Sequence, residues 1–140
     1  MSRSQEVFFS FDFGTKRIGV AVGQIITKTA SDLITLNTNN GQIPWSQLES
    51  LIQQWHPDAF IIGLPLNKDG TPHKITEKVQ NFGKSLESRY HLPVYFMDER
   101  LSSIEAEHLL SQRGSDREKG DIDKLAAKLI LESWFNSFSA

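Results

Sequence analysis

Residues 7–23 read VFFSFDFGTKRIGVAVG and place two runs of strand-forming residues on either side of a short polar connection. This composition is typical of a β-hairpin. With Thr15 and Lys16 as the two loop residues, one face of the hairpin is wholly apolar, which fixes the register of the two strands. The apolar cross-strand pairs in this register are Phe13 with Ile18, Phe11 with Val20 and Phe9 with Val22.

The opposite face of the hairpin carries Asp12, which this register places across from Gly19. Glycine leaves space beside the carboxylate for an ion, a water molecule or a segment of backbone. Aspartate is also common before a turn for conformational reasons alone. The register therefore makes Asp12 a candidate functional acid, with turn formation as the alternative interpretation.

The composition limits the classes of protein to which the chain can belong. Its 140 residues suffice for one domain, which we expect to span residues 1–140. The absence of cysteine excludes disulfides and thiolate metal sites, and it suits a reducing compartment. The net charge of -2 argues against a broadly basic surface for nucleic acid and leaves room for a local basic patch.

We expect neither a secretion signal nor a membrane segment in this chain. The N-terminal MSRSQEV runs straight into the first strand without an apolar signal segment. No apolar run approaches the roughly 20 residues that are needed to cross a bilayer. We therefore expect a cytoplasmic protein without membrane association.

The next segments predict a third strand and a helix. The third strand is expected from residue 24 to residue 36, near an edge of the sheet. A helix from Pro44 to His56 has an apolar stripe at helical spacing. Trp45 and Trp55 both lie on this stripe, and we interpret both as core residues.

The middle of the chain predicts a β-α-β unit. The continuous apolar runs at residues 59–64 and 94–97 are typical of parallel strands that are buried on both faces. Between them we expect a helix that Thr71 caps, with Pro72 at its first position and its end near Tyr90. The two parallel strands follow three antiparallel ones, which predicts an α/β fold with a mixed five-stranded sheet flanked by helices.

The last third of the chain predicts two helices and a loop. A short helix is expected to begin at Ser102. Residues 112–121 are charged and lack apolar content, so we expect a loop there. A final helix is expected from about residue 122 to residue 138, with Leu125, Ala126 and Leu129 among its buried residues.

Three acids stand at positions that favour chemistry: Asp12 on the first strand, Glu99 just after the last strand, and Asp123 at the start of the last helix. Ligands of open parallel sheets bind beyond the carboxyl ends of the strands, which is where Glu99 lies. Ala126 and Ala127 follow Asp123 by three and four residues, so this side of the helix is flat enough to approach the sheet closely. Asp123 alone also fits a simpler role in complementing the helix N-terminus.

Three convergent carboxylates repel one another without a cation. Mg²⁺ or Mn²⁺ removes this repulsion because hard oxygen ligands bind hard ions. Two such ions about 4 Å apart activate water and stabilise the leaving oxygen in phosphodiester cleavage. The acids therefore predict a metal-dependent nuclease.

Four segments, in this order and spacing, resemble the YqgF family of small bacterial RNase H-like proteins. They are FDFGTKRIGVAVG at 11–23, GLPLNKDGT at 63–71, MDERLSS at 97–103 and DKLAAKLILES at 123–133. Members of this family are described as Holliday junction resolvases and as nucleases that process the 5′ end of pre-16S rRNA. The resemblance implies an RNase H-like fold.

The resemblance also implies a role for individual residues. Asp12, Glu99 and Asp123 match the acidic triad of the family, and are thus the expected catalytic and metal-binding residues. Lys124 and Lys128 depart from the small or apolar residues that are expected beside the last acid.

Several polar residues near the acids are candidates for binding substrate. Lys16, Arg17 and Arg100 flank the acids and are suited to hold phosphates, with surface solvation as the alternative. Asn67 and Lys68 lie in a loop that opens from a strand C-terminus and are suited to contact a nucleic-acid backbone.

Three classes of function remain open on these residues. The first is a nuclease that acts on pre-16S rRNA or on branched DNA, as a Holliday junction resolvase does. The second is a ribosome biogenesis factor that binds rRNA or ribosomal precursor particles without cutting. The third is an ATPase with a phosphate loop at the Asp12 hairpin, although one domain of 140 residues supplies only half of the usual cleft. The chain is expected to be a monomer or a homodimer, since resolving a four-way junction needs two coordinated cuts.

Overall fold

The computed structural model describes residues 6–67, 69–72, 74–98 and 119–137, with only the backbone described for residues 119–122. Within these ranges the chain forms five strands and three helices. The strands are β1 (Val7–Phe13), β2 (Arg17–Gln24), β3 (Thr29–Asn37), β4 (Ala59–Leu64) and β5 (Val94–Asp98), and the helices are α1 (Trp45–Trp55), α2 (Thr76–Tyr90) and α3 (Lys119–Asn136).

The strands form one mixed sheet in the order β3-β2-β1-β4-β5. The three N-terminal strands pair antiparallel, whereas β1 pairs parallel with β4 and β4 pairs parallel with β5. The predicted mixed five-stranded sheet is therefore confirmed. The carboxyl ends of β1, β4 and β5 lie along one edge of this sheet, which we call the carboxyl edge.

The hairpin of β1 and β2 has the predicted register in every pair, including Asp12 opposite Gly19. The Gly14 N–H donates to the Arg17 carbonyl at 2.8 Å and closes the loop. Thr38, which follows β3, holds the tip of the hairpin through its N–H to Lys16 and its hydroxyl to Thr15. The hairpin tip is thus fixed from two sides.

The third strand lies at an edge of the sheet, as predicted, but its predicted start is wrong. Gln24 still belongs to β2, where it pairs with Val7. Residues 25–28 form the turn that reverses the chain, and Lys28 has a left-handed backbone with φ of 53°. The β-branched residues of this segment predicted a strand, but such residues only favour strands and do not by themselves prevent a turn.

Apolar residues cover both faces of the sheet. On one face, α1 and α2 cover a cluster that includes Phe11, Phe60 and Phe82. On the other face, α3 covers a smaller cluster that includes Phe8 and Ile61. The alternation of strand side chains between two buried faces explains why β1 and β4 are almost wholly buried.

The predicted cap of α2 at Thr71 is wrong. The Thr71 hydroxyl and N–H both donate to the Asp69 carboxylate, at 2.6 and 3.0 Å, and Leu66 forms a bridge with Pro72. These bonds close a turn, so α2 begins only at Thr76. The predicted end of α2 near Tyr90 is confirmed.

Two predictions of burial are also wrong. Trp55 is 39% exposed at the last position of α1, whereas Trp45 packs against Phe82 with ring centroids 6.1 Å apart. Phe96 is 40% exposed because β5 is the outermost strand among the described residues. Periodicity alone does not distinguish an outer strand from an inner one.

Helix α3 begins three residues earlier than predicted, so residues 119–121 belong to a helix and not to a loop. Its most deeply buried residues also differ from the prediction, because Leu125 and Leu129 are only half-buried. The buried set is Ala126, Ala127, Ile130, Leu131 and Phe135. The helix predicted from Ser102 lies outside the described residues. None of the described helices is long and apolar enough to cross a bilayer.

The backbone of α3 lies directly against Gly19 of β2. A Cβ atom added to Gly19 would be 2.0 Å from the carbonyl oxygen of Asp123 and 2.8 Å from the nitrogen of Lys124. No side chain fits at this distance. The space that glycine leaves beside Asp12 is therefore filled by a segment of helix backbone.

Replacing Gly19 with alanine is expected to lower the free energy of unfolding by about 1–3 kcal/mol, because the methyl group must displace α3. Urea denaturation measures this change. The matched control is Gly41→Asn, since a Cβ at Gly41 meets no atom within 4 Å and asparagine tolerates its φ of +79°. A stability loss no larger than that of the control would contradict the close approach.

Candidate functional site

Helix α3 runs antiparallel to β1 across one face of the sheet. Near the start of β1, the Phe8 ring packs edge-on against Phe135, with centroids 5.7 Å apart. Two residues later, the buried Ser10 hydroxyl donates to the carbonyl of Ala127 at 2.6 Å. These two contacts fix the position of α3 along β1.

The same alignment brings Asp12 and Asp123 together. Two residues of strand beyond Ser10 cover about 6.7 Å, and four residues of helix before Ala127 cover about 6 Å. Gly19 gives independent support, because it is the cross-strand partner of Asp12 and lies against the backbone of Asp123. Cross-strand partners share a face of the sheet, so both acids lie on the α3 face at the carboxyl edge.

Arg17 forms an ion pair with Asp123 across this site. Its Nε lies 2.8 Å from Oδ2 of Asp123, and the two side chains are 31% and 21% exposed. Arg17 was predicted to hold a phosphate of the substrate. In this structure its guanidinium is paired with one of the two acids.

The two lysines that depart from the family pattern, Lys124 and Lys128, lie in different surroundings. Lys124 lies with its Nζ 3.8 Å from Oδ2 of Asp32 on β3, so its charge is directed along the sheet towards β3. Lys128 is half-buried on the next turn of α3. Neither observation places a lysine between Asp12 and Asp123.

The third predicted acid, Glu99, lies outside the described residues, as does Arg100. The side chains of the preceding strand, β5, show which of its positions face α3. Tyr95 and Met97 pack on the α3 face, where the Tyr95 ring stacks on Trp134 with centroids 5.0 Å apart. Strand side chains alternate between the two faces, so residues an even number of positions apart share a face. By sequence position, Glu99 is an even number of residues from Tyr95 and Met97, whereas Asp98 is an even number of residues from Val94, which packs on the α2 face.

The loop after β4 contains the predicted contact residue Asn67. Its side-chain amide donates to the Thr71 hydroxyl at 3.0 Å and to the Pro72 carbonyl at 3.1 Å. Asn67 thus stabilises the shape of its own loop at the carboxyl edge. Lys68 lies outside the described residues, and Lys16 is exposed at the tip of the hairpin.

The residues of the site fit a hard divalent cation. Asp12 and Asp123 supply carboxylate oxygens, which are the ligands that Mg²⁺ and Mn²⁺ prefer. The Arg17 ion pair shows that Asp123 accepts a cation in this position. Within the part of the chain that the structure describes, no three Asp, Glu, His or Cys side chains form a metal-binding group. A complete ligand set therefore needs a further group beside these two.

Two positioning features were absent from the sequence predictions. The hydrogen bond from Ser10 to Ala127 anchors α3. The sequence could have indicated it, because Ser10 is a polar residue between two phenylalanines on the same strand face as Asp12. The ion pair of Arg17 with Asp123 joins residues 106 positions apart. No local pattern in the sequence predicts that second contact.

Comparisons with known proteins relate the chain to one family of nucleases and resolvases by their names. The family model described as "RuvX: Holliday junction resolvase" matches residues 6–137. A protein of Pseudomonas fluorescens named "Putative pre-16S rRNA nuclease" is 46% identical over 138 residues, which are 96% of this chain and 94% of that protein. A protein of the same name from Azotobacter vinelandii is 45% identical over 130 residues, covering 91% and 92% of the two chains.

Two solved structures share the fold. RuvC of T. thermophilus in complex with Holliday junction substrate superposes with a TM-score of 0.56 at 13% identity, covering 96% of each chain. The Fowlpox virus resolvase in complex with Holliday junction DNA gives a TM-score of 0.59 at 15% identity, covering 96% of this chain and 99% of that one. This likeness confirms the predicted RNase H-like fold.

Replacing Arg17 with glutamine is expected to raise the affinity for Mn²⁺ by about twofold to fivefold, because the guanidinium no longer competes for Asp123. Isothermal titration calorimetry measures this affinity. Lys16→Gln removes the same charge from the neighbouring exposed position and is expected to change it by less than about twofold. Weaker Mn²⁺ binding by Arg17→Gln than by the wild type would contradict the competition.

Proposed function

The chain belongs to the RuvX family, in agreement with its resemblance to YqgF proteins, and we propose that it is a metal-dependent nuclease that hydrolyses phosphodiester bonds. The observation that carries this proposal is the placement of Asp12 and Asp123 on one face at the carboxyl edge of an RNase H-like sheet. The proposed enzyme is a single nuclease domain over residues 1–140.

We assign the role of metal ligand and catalytic residue to Asp12, Asp123 and Glu99. Asp12 and the backbone of Asp123 lie on the same face of the sheet at its carboxyl edge, which supports the first two assignments. Glu99 shares the alternation of the β5 residues that face α3. One or two Mg²⁺ or Mn²⁺ ions held there would activate water and stabilise the charge of the leaving oxygen. A bound cation would remove the repulsion that carboxylates at one site otherwise exert on one another.

Arg17 has a second proposed role towards the substrate. Its guanidinium is held at the site by Asp123 and is half-exposed, so it remains within reach of a phosphate that approaches the acids. Arginine binds phosphate oxygens well because its donors form a planar fork. Lys16, Lys68, Arg100 and the Asn67 loop are proposed to hold the flanking backbone at the same edge.

The proposed substrate is pre-16S rRNA at its 5′ end. The support is the name of the relatives, which match nearly the whole chain at 45–46% identity. With this substrate, the proposed location is the cytoplasm and the proposed partners are ribosomal precursor particles. The absence of cysteine suits that compartment.

A four-way DNA junction is the second candidate substrate. The family model carries the description Holliday junction resolvase, and both structural neighbours are junction-cutting or junction-bound proteins by their titles. Two coordinated cuts would require a two-fold homodimer, whereas cleavage of rRNA needs only a monomer. The third possibility, binding of rRNA without cutting, would leave the acids without a catalytic role.

Replacing Asp12 or Asp123 with asparagine is expected to reduce cleavage about a hundredfold or more in the presence of Mn²⁺, because each change removes an anionic ligand. Glu99→Gln is expected to have an effect of similar size. A pre-rRNA fragment that spans the 5′ end of 16S rRNA and a four-way DNA junction are tested side by side, with the mass in solution measured on the same samples.

The matched control for these variants is Asp98→Asn. It makes the same chemical change one residue before Glu99, at a position that alternates to the α2 face. Its cleavage is expected to remain close to that of the wild type. Equal cleavage by wild type and Asp12→Asn would disprove the assigned site. Binding of rRNA without cleavage by any variant, including wild type, would favour the biogenesis factor.

A further inference from the structure

A groove of about 280 Å³ opens on the face of the sheet opposite to the acids. Phe13, the last residue of β1, contributes to it together with Phe82 and Lys78 from the N-terminal half of α2. Since α2 leads from the carboxyl end of β4 back to the start of β5, its N-terminal half lies at the carboxyl edge. The groove and the acids thus share one edge of the sheet.

The groove lies within one residue of the proposed active site along β1. Asp12 faces α3 and Phe13 faces α2, because consecutive strand residues point to opposite faces. Their Cα atoms are about 3.8 Å apart. A polynucleotide that crosses the carboxyl edge with a phosphate at Asp12 would therefore have a nearby nucleotide within reach of the groove.

The floor of the groove is aromatic and apolar. Phe13 is half-buried and packs against Phe82 with ring centroids 5.2 Å apart and an angle of 38° between the rings. Trp45 stacks on Phe82 at 6.1 Å and holds that ring in place. Ile43 completes the apolar surface. Such a floor suits a flat apolar ligand better than a phosphate or a sugar.

The walls of the groove are polar and carry a positive charge. Asn81 and Ser85 lie on successive turns of α2 and offer an amide and a hydroxyl. Lys78 lies one turn before Asn81 and is exposed, so its ammonium can meet a phosphate at the mouth. The aromatic floor suits the face of a nucleobase, and the amide and the hydroxyl suit the polar atoms at its edge. The cation suits the phosphate of the same nucleotide.

We propose that this groove binds one unpaired nucleobase of the nucleic-acid substrate, next to the phosphate that is cleaved. The inference rests on the proposed nuclease function for its substrate, but its evidence is the groove itself. Unpaired bases are recognised in proteins by stacking on aromatic rings and by hydrogen bonds to their edges. The groove would favour cleavage next to a nucleotide that is free to leave its stack, as at a single-stranded segment or at the centre of a junction.

The test is a titration of the isotope-labelled full chain, followed by nuclear magnetic resonance. The probe is adenosine 5′-monophosphate, and the comparison is ribose 5-phosphate, which has the same phosphate and lacks the base. The mononucleotide is expected to shift the ring signals of Phe13 and the side-chain amide of Asn81, whereas ribose 5-phosphate leaves both unchanged. Equal shifts with the two compounds, or none at Phe13 and Asn81 with the mononucleotide, would overturn the proposal.

Two exposed positions allow variants that leave the core intact. Lys78→Gln and Asn81→Ala are each expected to weaken binding of the mononucleotide by about threefold to tenfold. The matched control is Lys84→Gln, which removes the same charge from an exposed position of α2 outside the groove. If Lys84→Gln weakened mononucleotide binding as much as Lys78→Gln does, the effect would come from the net charge of the protein and would contradict the proposal.

The same titration separates this inference from the proposed function. Asp12→Asn is expected to keep mononucleotide binding, because Asp12 faces away from the groove. Binding that persists while Asp12→Asn still cleaves normally would sustain the groove and disprove the active site. Cleavage that depends on Asp12, with no shift at Phe13 or Asn81, would sustain the nuclease and disprove the groove.

Discussion

The close approach of α3 to the sheet is the contact on which the candidate site depends. It is possible because Gly19 has no side chain where the backbone of Asp123 crosses β2, and because Ala126 and Ala127 present only methyl groups. The hydroxyl of Ser10 then sets the position of the helix along β1 through the carbonyl of Ala127. Small residues and one hydrogen bond therefore decide where the carboxylate of Asp123 lies, and a bulkier contact would hold it away from Asp12.

The ion pair of Arg17 with Asp123 bears on the electrostatics of the candidate site. Carboxylates that are held close together repel one another, which costs free energy. The ion pair of Arg17 with Asp123 offsets part of this cost, with a value limited by the partial exposure of both side chains. Arg17 is the first residue of β2 and lies beside the hairpin tip that Thr38 fixes, so the backbone of Arg17 has a well-defined position. The same arginine thereby links the electrostatics of the acids to the rigid hairpin.

The sequence was most informative where the deciding interactions are local. Cross-strand pairs around a two-residue loop fixed the register of β1 and β2, and an unbroken apolar run identified β4. Predictions failed where the outcome depended on distant parts of the chain. Thr71 has the chemistry of a helix cap, yet its hydroxyl bonds to Asp69, and the exposure of Phe96 follows from the outer place of β5. The contact of Arg17 with Asp123 spans 106 positions and leaves no local pattern to recognise.

The order of the elements along the chain has a consequence for the timing of activity. Asp12 lies in the first strand and Asp123 in the last described helix, so the site needs contacts between residues far apart in sequence. A ribosome releases the N-terminal segments first, and such distant contacts form late. A nascent chain that has exposed only β1 to β5 holds one of the two acids and lacks the other. The two acids of the candidate site can therefore come together only after synthesis has passed the start of α3.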